Sequence, residues 1–392
     1  MTFQLMDTKH ECVAVFKDGK IHSDIDAVEL DRTWSPSANL PNAQAQYASI
    51  YALGKGLDKV CPENLQDRWI KCRNKAQAFF KSFHNAKVDL NDVCFYDLVP
   101  KKFLLDYYGI KNDITDHVFA NFEKPKNYDF LVNLHMLTEK IRRQPLKINI
   151  KNLKFSDLKV RNSLSKVKNA NRFIDYNMWG TVTGRLATNP SSFPILTLNK
   201  ELRACIEPNN DCFVELDFNS AELRVLLALL GQDQPKEDIH SWVAQNVFMG
   251  KHTRAESKTK TFAWLYNPKA RNKKLNEKFD RDSLLEKHYD VETITTPFGR
   301  SINCSKDKAL NYLIQSTTSD MFLTNAFKVD TILKNRKSYI AFCIHDSLVL
   351  DFSKEDKDLL GSIIKEFSDT KFGEFRSNLS LGKNFGDMRE IE

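Results

Sequence analysis

The chain has 392 residues, 42% of them hydrophobic and 28% charged, with a formal net charge of +7 at pH 7. That length allows two or three subdomains and a sizeable core, the mild positive charge favours a polyanionic partner, and no apolar run is long enough to span a membrane. The N-terminus lacks the basic-then-apolar order of a signal peptide and the eight cysteines include no CxxC pair, which favours reduced thiols of a cytoplasmic protein over a disulfide framework or a zinc ribbon.

Residues 1–45 carry short alternating stretches, Cys12–Phe16 and Lys20–His22, together with Pro36 and Pro41. They predict a small β hairpin or arm. From Ala43 to about Arg143 the pattern is mostly helical, with Trp69, Phe79, Phe80 and Phe83 as core candidates. Residues 147–172 hold eight Lys/Arg and one acid, Asp157. That composition suits a helical hairpin gripping duplex phosphates, and equally a solubilising loop.

The stretch Asp217-Phe218-Asn219-Ser220-Ala221-Glu222-Leu223-Arg224 follows an apolar run containing Phe213, Val214 and Leu216. The run reads as a buried strand with Asp217 at its carboxyl end. A helix with Leu223, Leu226, Leu227 and Leu230 follows, closed by Gly231 as a C′ residue. A carboxylate so placed is able to hold a hard cation against a phosphate. The alternative is a capping box, with Asn219 as N-cap and Glu222 three residues on.

Arg254, Lys258, Phe262 and Tyr266 recur every fourth residue. On a helix they span a face about 120° wide and about 18 Å long. Two cations followed by two aromatics suit a triphosphate at one end and a sugar and base at the other. The stretch Lys251–Arg281 holds ten Lys/Arg against three Asp/Glu, which again favours a polyanion. Further on, two apolar β-type runs flank His345-Asp346-Ser347 and predict a hairpin turning at Asp346. Asp is an ordinary turn residue, so the pairing with Asp217 carries the argument. Two such carboxylates suit a pair of metal ions about 3.5–4 Å apart that activate a hydroxyl and stabilise a leaving pyrophosphate.

In this order, these segments resemble the motifs of family A DNA polymerases, the group of bacterial DNA polymerase I and podophage replicases. Thr183-Gly184-Arg185-Leu186 resembles the TGRL segment, Asp217 to Arg224 motif A, Arg254-x3-Lys258-x3-Phe262-x3-Tyr266 motif B, and His345-Asp346 motif C. Asp238-Ile239-His240, Phe298-Gly299-Arg300 and Asn311-x3-Gln315 fall where the family has counterparts, and Gly382 to Met388 resembles the tail of phage members. The likeness runs from about residue 175 to 352.

The resemblance implies an α+β right-hand fold with an antiparallel-sheet palm, helical fingers and a helical thumb. Its boundaries would be an arm over 1–45, the thumb and a preceding helical segment over 46–174, palm over 175–237, fingers over 238–299, and palm with tail over 300–392. Asp217 and Asp346, helped by the Phe218 carbonyl, would bind two Mg²⁺ ions, with Mn²⁺ as a substitute. Arg254, Lys258 and His240 would take the triphosphate of a dNTP, with Lys258 the proton donor to pyrophosphate. Phe262 would pack beside the sugar, Tyr266 would stack near the templating position, and Glu222 would fill the space a ribose 2′-OH needs. Arg185, Asn311 and Gln315 would read minor-groove acceptors of the primer-template, and His345 would touch the primer end.

Three departures stand out. The family usually has Glu after the motif C aspartate, where this chain has Ser347, leaving one carboxylate fewer. Ala263 and Asn267 replace the glycines of motif B. Asp307, with Lys308 adjacent, stands where a basic residue is common before Asn311. Only about 45 residues precede the helical segment, too few for a proofreading domain. The expectation is a DNA-directed DNA polymerase without intrinsic 3′–5′ exonuclease, working in phage replication and hence the host cytoplasm, with a separate exonuclease or processivity subunit as a further partner. The alternatives are a single-subunit RNA polymerase-like enzyme, against which Glu222 argues, and a non-catalytic primer-template binding module.

Overall fold

The computed structural model describes residues 1–26, 28–40, 44–90, 92–153, 158–168, 170–267 and 269–391. The chain divides into two compact units, Met1–Arg143 and Gln144–Glu392.

The first unit is built on a five-stranded sheet. Thr2–Asp7 is central, antiparallel to Cys12–Lys17, which continues antiparallel to Lys20–His22. On its other side Arg32–Thr33 and Gln46–Tyr47 run parallel to it. The hairpin expected of Cys12–Phe16 and Lys20–His22 therefore forms, but as one edge of a larger sheet and not as a separate arm. Two-residue strands have no readable period, so only their pairing partners reveal them. Three helices follow, Glu63–Asn85, Lys101–Asn121 and Tyr128–Arg142. Phe103, Leu104 and Tyr108 of the second close on Met6, Ala14 and Phe16 of the sheet. Of the expected core aromatics, Trp69 is buried and Phe79 and Phe83 are half-buried, but Phe80 is exposed and stacks on Phe95 at 4.4 Å.

Asp7, the first carboxylate of this unit, is fully engaged. It pairs with Arg143 at 3.1 Å and accepts hydrogen bonds from Ser37 and Asn39. Those bonds tie the first strand to the loop before the fifth.

The second unit centres on a five-stranded antiparallel sheet in the order Tyr339–Ile344, Ser347–Phe352, Cys212–Phe218, Ser377–Gly382, Arg389–Ile391. Val214, Leu216, Leu348 and Leu350 are buried between flanking strands. The 27-residue helix Lys306–Ile332 is buried along most of its length and packs against Ala221–Leu229 and Leu360–Ser368. Phe218 stacks on Phe367 at 4.3 Å, anchoring the central strand to that helical layer. Helices Ile239–Asn246, Arg254–Tyr266, Lys273–Lys278 and Arg281–His288 precede a small sheet of Tyr289–Asp290, Thr293–Thr295 and Ser301–Asn303.

The expected grouping of residues 46–174 is split by this division: 46–143 share the first unit with the sheet and 144–174 pack within the second. Over 147–172 the described residues form a two-residue strand, a short 3-10 turn and helices of six and four residues, not a long hairpin. Asp157 lies outside the described residues.

Candidate active site

The Cys212–Phe218 strand ends as read, with Asp217 in register opposite Ser347 on one neighbour and Asn378 on the other. The capping box at Asn219 does not form. Ser220 is the N-cap, in a left-handed conformation at φ 56, and its side chain makes no cap bond to the helix. Its hydroxyl instead lies 2.6 Å from His240 Nε2. The helix Ala221–Leu229 closes through Gly231 at φ +67, whose N–H reaches Ala228 O while that of Gln232 reaches Leu227 O. This is the Schellman arrangement, and it needs a residue free to adopt positive φ.

Asn219, released from capping, joins three segments. Its amide oxygen accepts from Ile239 N at 3.1 Å and its amide nitrogen donates to Asp238 at 3.2 Å. Buried Arg224 donates to Asn219 O, Pro235 O and Glu237 O at 2.9, 2.8 and 3.0 Å. The loop before His240 is thereby fixed to the end of the Asp217 strand.

The strands Tyr339–Ile344 and Ser347–Phe352 form a two-residue hairpin, with Ile344 paired to Ser347 and the turn made by His345, at φ 53, and Asp346. The central strand lies beside this hairpin, which brings Asp346 to Asp217. Burial, then the charges of Asp346, Glu215 and Glu390, push the Asp217 carboxyl up to about 7, and Lys258 opposes them. Burial likewise raises Asp346. The cost of charging these carboxylates without a counter-cation is what a divalent ion would relieve. Among the described residues no group of three or more His, Cys, Asp or Glu is arranged to hold a metal. The groups that meet are two carboxylates, hard oxygen donors of the kind that fit Mg²⁺ or Mn²⁺ completed by water and phosphate.

Ser347 is not an empty substitution. Its hydroxyl donates to Glu215 at 2.6 Å. Glu215 is two residues before Asp217 and so shares its face of the strand. That period-of-two spacing was visible in the sequence, but only the cross-strand partner gives it meaning.

The Arg254–Tyr266 helix starts at a capping box of Thr253 and Glu256. Phe262 and Tyr266 stack at 5.7 Å with their rings within 6° of parallel, and His240 lies 5.6 Å from Phe262. Arg254 and Lys258 are exposed on the same helix. Arg254 forms a two-point ion pair with Asp238, Nε to Oδ1 at 2.9 Å and Nη2 to Oδ2 at 2.8 Å. His240 is 1% exposed, and burial, reinforced by Lys258, Arg254 and Arg224 against the opposing Asp238, pushes its imidazole down to about 4. It is therefore neutral near pH 7.

Glu222 is buried and paired with half-buried Arg185. The TGRL turn holds that arginine. Gly184 sits at φ +77 with the Arg300 guanidinium where a Cβ would go, 2.5 Å away. Ser319 donates to Gly184 O at 3.0 Å, and Arg300 is held by buried Asp320 at 3.0 and 2.7 Å. Arg300 and Asp320 form the floor on which Gly184 and Arg185 rest.

Asn311 and Gln315, one turn apart, are half-buried on the Lys306–Ile332 helix. Asn311 and Tyr266 line a common cleft of about 590 Å³ with Arg271, Arg281 and Phe279. His345 is exposed at the hairpin tip. The structure thus joins Asp217, Asp346 and Lys258 electrostatically, and Arg185 to Glu222 directly. Asn311 meets Tyr266 in the neighbouring cleft.

No family model matches the chain. A DNA polymerase of Bacillus phage SP01 is 24% identical in an alignment 292 residues long that covers 55% of this chain and 32% of the relative. The chain therefore spans about a third of that relative's length. Among solved structures, the POL domain of Pol1 from M. smegmatis, in complex with DNA primer-template and dNTP, superposes with a TM-score of 0.65 at 10% identity. The match covers 98% of this chain and 95% of that one. Among the described residues no helix is long and apolar enough to cross a membrane. The fold is that of a polymerase domain.

Proposed function

We propose that this chain carries out template-directed DNA synthesis, adding dNTPs to a primer 3′-OH with release of pyrophosphate. The observation that carries the reading is the approach of Asp217, at the end of the central strand, and Asp346, in the turn of the hairpin beside it, with the positive charge of Lys258 acting on Asp217. The first unit offers no comparable pair at Asp7, whose carboxylate is already engaged.

Asp217, Asp346 and the Phe218 carbonyl are the residues that would hold two Mg²⁺ ions, which supply Lewis-acid stabilisation of the attacking and leaving oxygens when bound. Glu215 stands beside them, held by Ser347, and adds negative charge on the same face. The primer 3′ oxygen would form a bond to the α-phosphorus as the bond to the bridging oxygen breaks, with the hydroxyl proton passing to solvent water. Lys258 would return a proton to the departing pyrophosphate, and Arg254 would neutralise its charge. His240, neutral at working pH, acts as a hydrogen-bonding group and not as a cation. Phe262 supports the sugar, Tyr266 the templating position, and Glu222 with Arg185 closes the space beside the 2′ carbon. Asn311, Gln315, Arg185 and His345 are the contacts assigned to the primer-template.

The test is primer extension with Mg²⁺ and either dNTPs or rNTPs. Template-dependent extension with dNTPs is expected. Extension with rNTPs alone would support an RNA polymerase-like enzyme instead, and no extension with intact duplex binding a binding module.

A further inference from the structure

We infer that Asp238 is an internal competitor of the nucleotide's phosphates for Arg254, and so sets how strongly anionic a ligand must be to engage that arginine. The inference rests on the assignment of Arg254 to the triphosphate.

The pairing is built for release. Arg254 is the first residue of its helix, and its side chain is 55% exposed while Asp238 is 20% exposed. Both guanidinium bonds run to one carboxylate in the forked geometry that a phosphate would also demand. Carboxylate and phosphate thus compete for the same two N–H groups.

Asp238 does not depend on Arg254 to stay satisfied. Its Oδ1 also accepts from Ser241 N at 2.9 Å and Ser241 Oγ at 3.0 Å, and its Oδ2 from Asn219 at 3.2 Å. Each oxygen keeps a donor when the guanidinium leaves, so release strands no buried charge. Burial works against the charged form, but the Arg254, Ser241 and Asn219 hydrogen bonds outweigh it and hold the Asp238 carboxyl well below its usual range. It remains an anion throughout the working pH range.

The same aspartate caps the helix that carries His240 and is bonded to Asn219, next but one after Asp217. Arg254 is therefore parked at the junction of the three segments that form the site. A purely structural ion pair and a competitor make opposite predictions. Loss of a structural pair loosens Arg254 and weakens anion binding, whereas loss of a competitor strengthens it.

The experiment titrates inorganic tripolyphosphate, with Mg²⁺, into the enzyme bound to primer-template and reads affinity by calorimetry. Asp238→Asn and Asp238→Ser both keep an N-capping oxygen and remove the charge. Each is expected to bind tripolyphosphate roughly threefold to tenfold more tightly than the parent, the scale of a partly exposed ion pair. In an Arg254→Ala background the gain should vanish. Unchanged or weaker binding in both Asp238 variants, or a gain that persists without Arg254, overturns the inference while leaving the phosphate role of Arg254 standing. If Arg254→Ala alone leaves tripolyphosphate affinity unchanged, the assignment of Arg254 to phosphate fails, and the competitor with it.

Discussion

Ser347 donates its hydroxyl to the Glu215 carboxylate at 2.6 Å, directly across the strand pair from Asp217. A side chain that looked like the loss of a carboxylate is thus the anchor of another one, delivered from the neighbouring strand. Glu215→Gln is expected to lower kcat about tenfold and to weaken Mn²⁺ binding, read by electron paramagnetic resonance, because the amide keeps the hydrogen bond and removes the charge. Ser347→Glu on its own sets two carboxylates against each other and should lose activity. The double variant Glu215→Ser/Ser347→Glu should recover most of it, and equal activity in all three would remove Glu215 from the site.

Asp217→Asn and Asp346→Asn should each reduce extension by about a thousandfold or more, since several kcal/mol of transition-state stabilisation depend on the ions they hold. Duplex affinity, carried by Lys and Arg contacts to phosphate, should change little. Single-turnover extension and a filter-binding measurement separate the two effects. Near-normal turnover in either variant contradicts the assignment.

Glu222→Ala opens a buried space and releases Arg185 at the same time. Relative use of ribonucleotides should rise about tenfold or more, the scale of one steric contact. Overall rate should fall because Arg185 loses its partner. Arg185→Ala should lower the rate without relaxing sugar choice, so comparing kcat/KM for dNTP and rNTP in the two variants separates gate from support.

The buried His240 gives a prediction for stability. Its folded value is pushed down to about 4, below the ordinary value of about 6.5 that it regains on unfolding. Between those limits the unfolded chain binds the extra proton, so stability is complete above about pH 6.5 and is lost as pH falls through about 4. At about 1.4 kcal/mol per unit, the loss approaches about 3 kcal/mol. His240→Gln should flatten that part of the curve, seen as a smaller drop in Tm between pH 7.5 and 5. An unchanged drop would mean that other groups set the acid limb.

Local pattern carried much of the site. The apolar run before Asp217, the four-residue spacing of Arg254, Lys258, Phe262 and Tyr266, the turn between two β runs at Asp346 and the Gly231 stop all reflect short-range physics. Periodicity and turn chemistry act within a few residues, so they are legible without knowing the fold. The first sheet was not legible in the same way. Arg32–Thr33 and Gln46–Tyr47 are strands only because the central Thr2–Asp7 strand offers them hydrogen-bonding partners. The N-cap is Ser220 and not Asn219 because Asn219 is bonded to Ile239 and Asp238 instead of to its own helix. Phe80 is exposed although its apolar identity suits a core, because identity says nothing about which side of a helix is covered.

By itself, then, the sequence determined the residue chemistry and its local placement: carboxylates at a strand end and a hairpin turn, cations and aromatics on one helical face, a glycine where positive φ is needed. Tertiary structure alone decided the partnerships. Strand order puts Asp346 beside Asp217, register puts Ser347 against Glu215, and helix packing leaves Arg254 on Asp238 and Arg185 on Glu222. The physical reason is range. Backbone preference and turn geometry are settled between near neighbours in the chain, whereas charge coupling and tertiary hydrogen bonding join residues well apart in it, from 16 positions for Asp238 and Arg254 to 132 for Glu215 and Ser347.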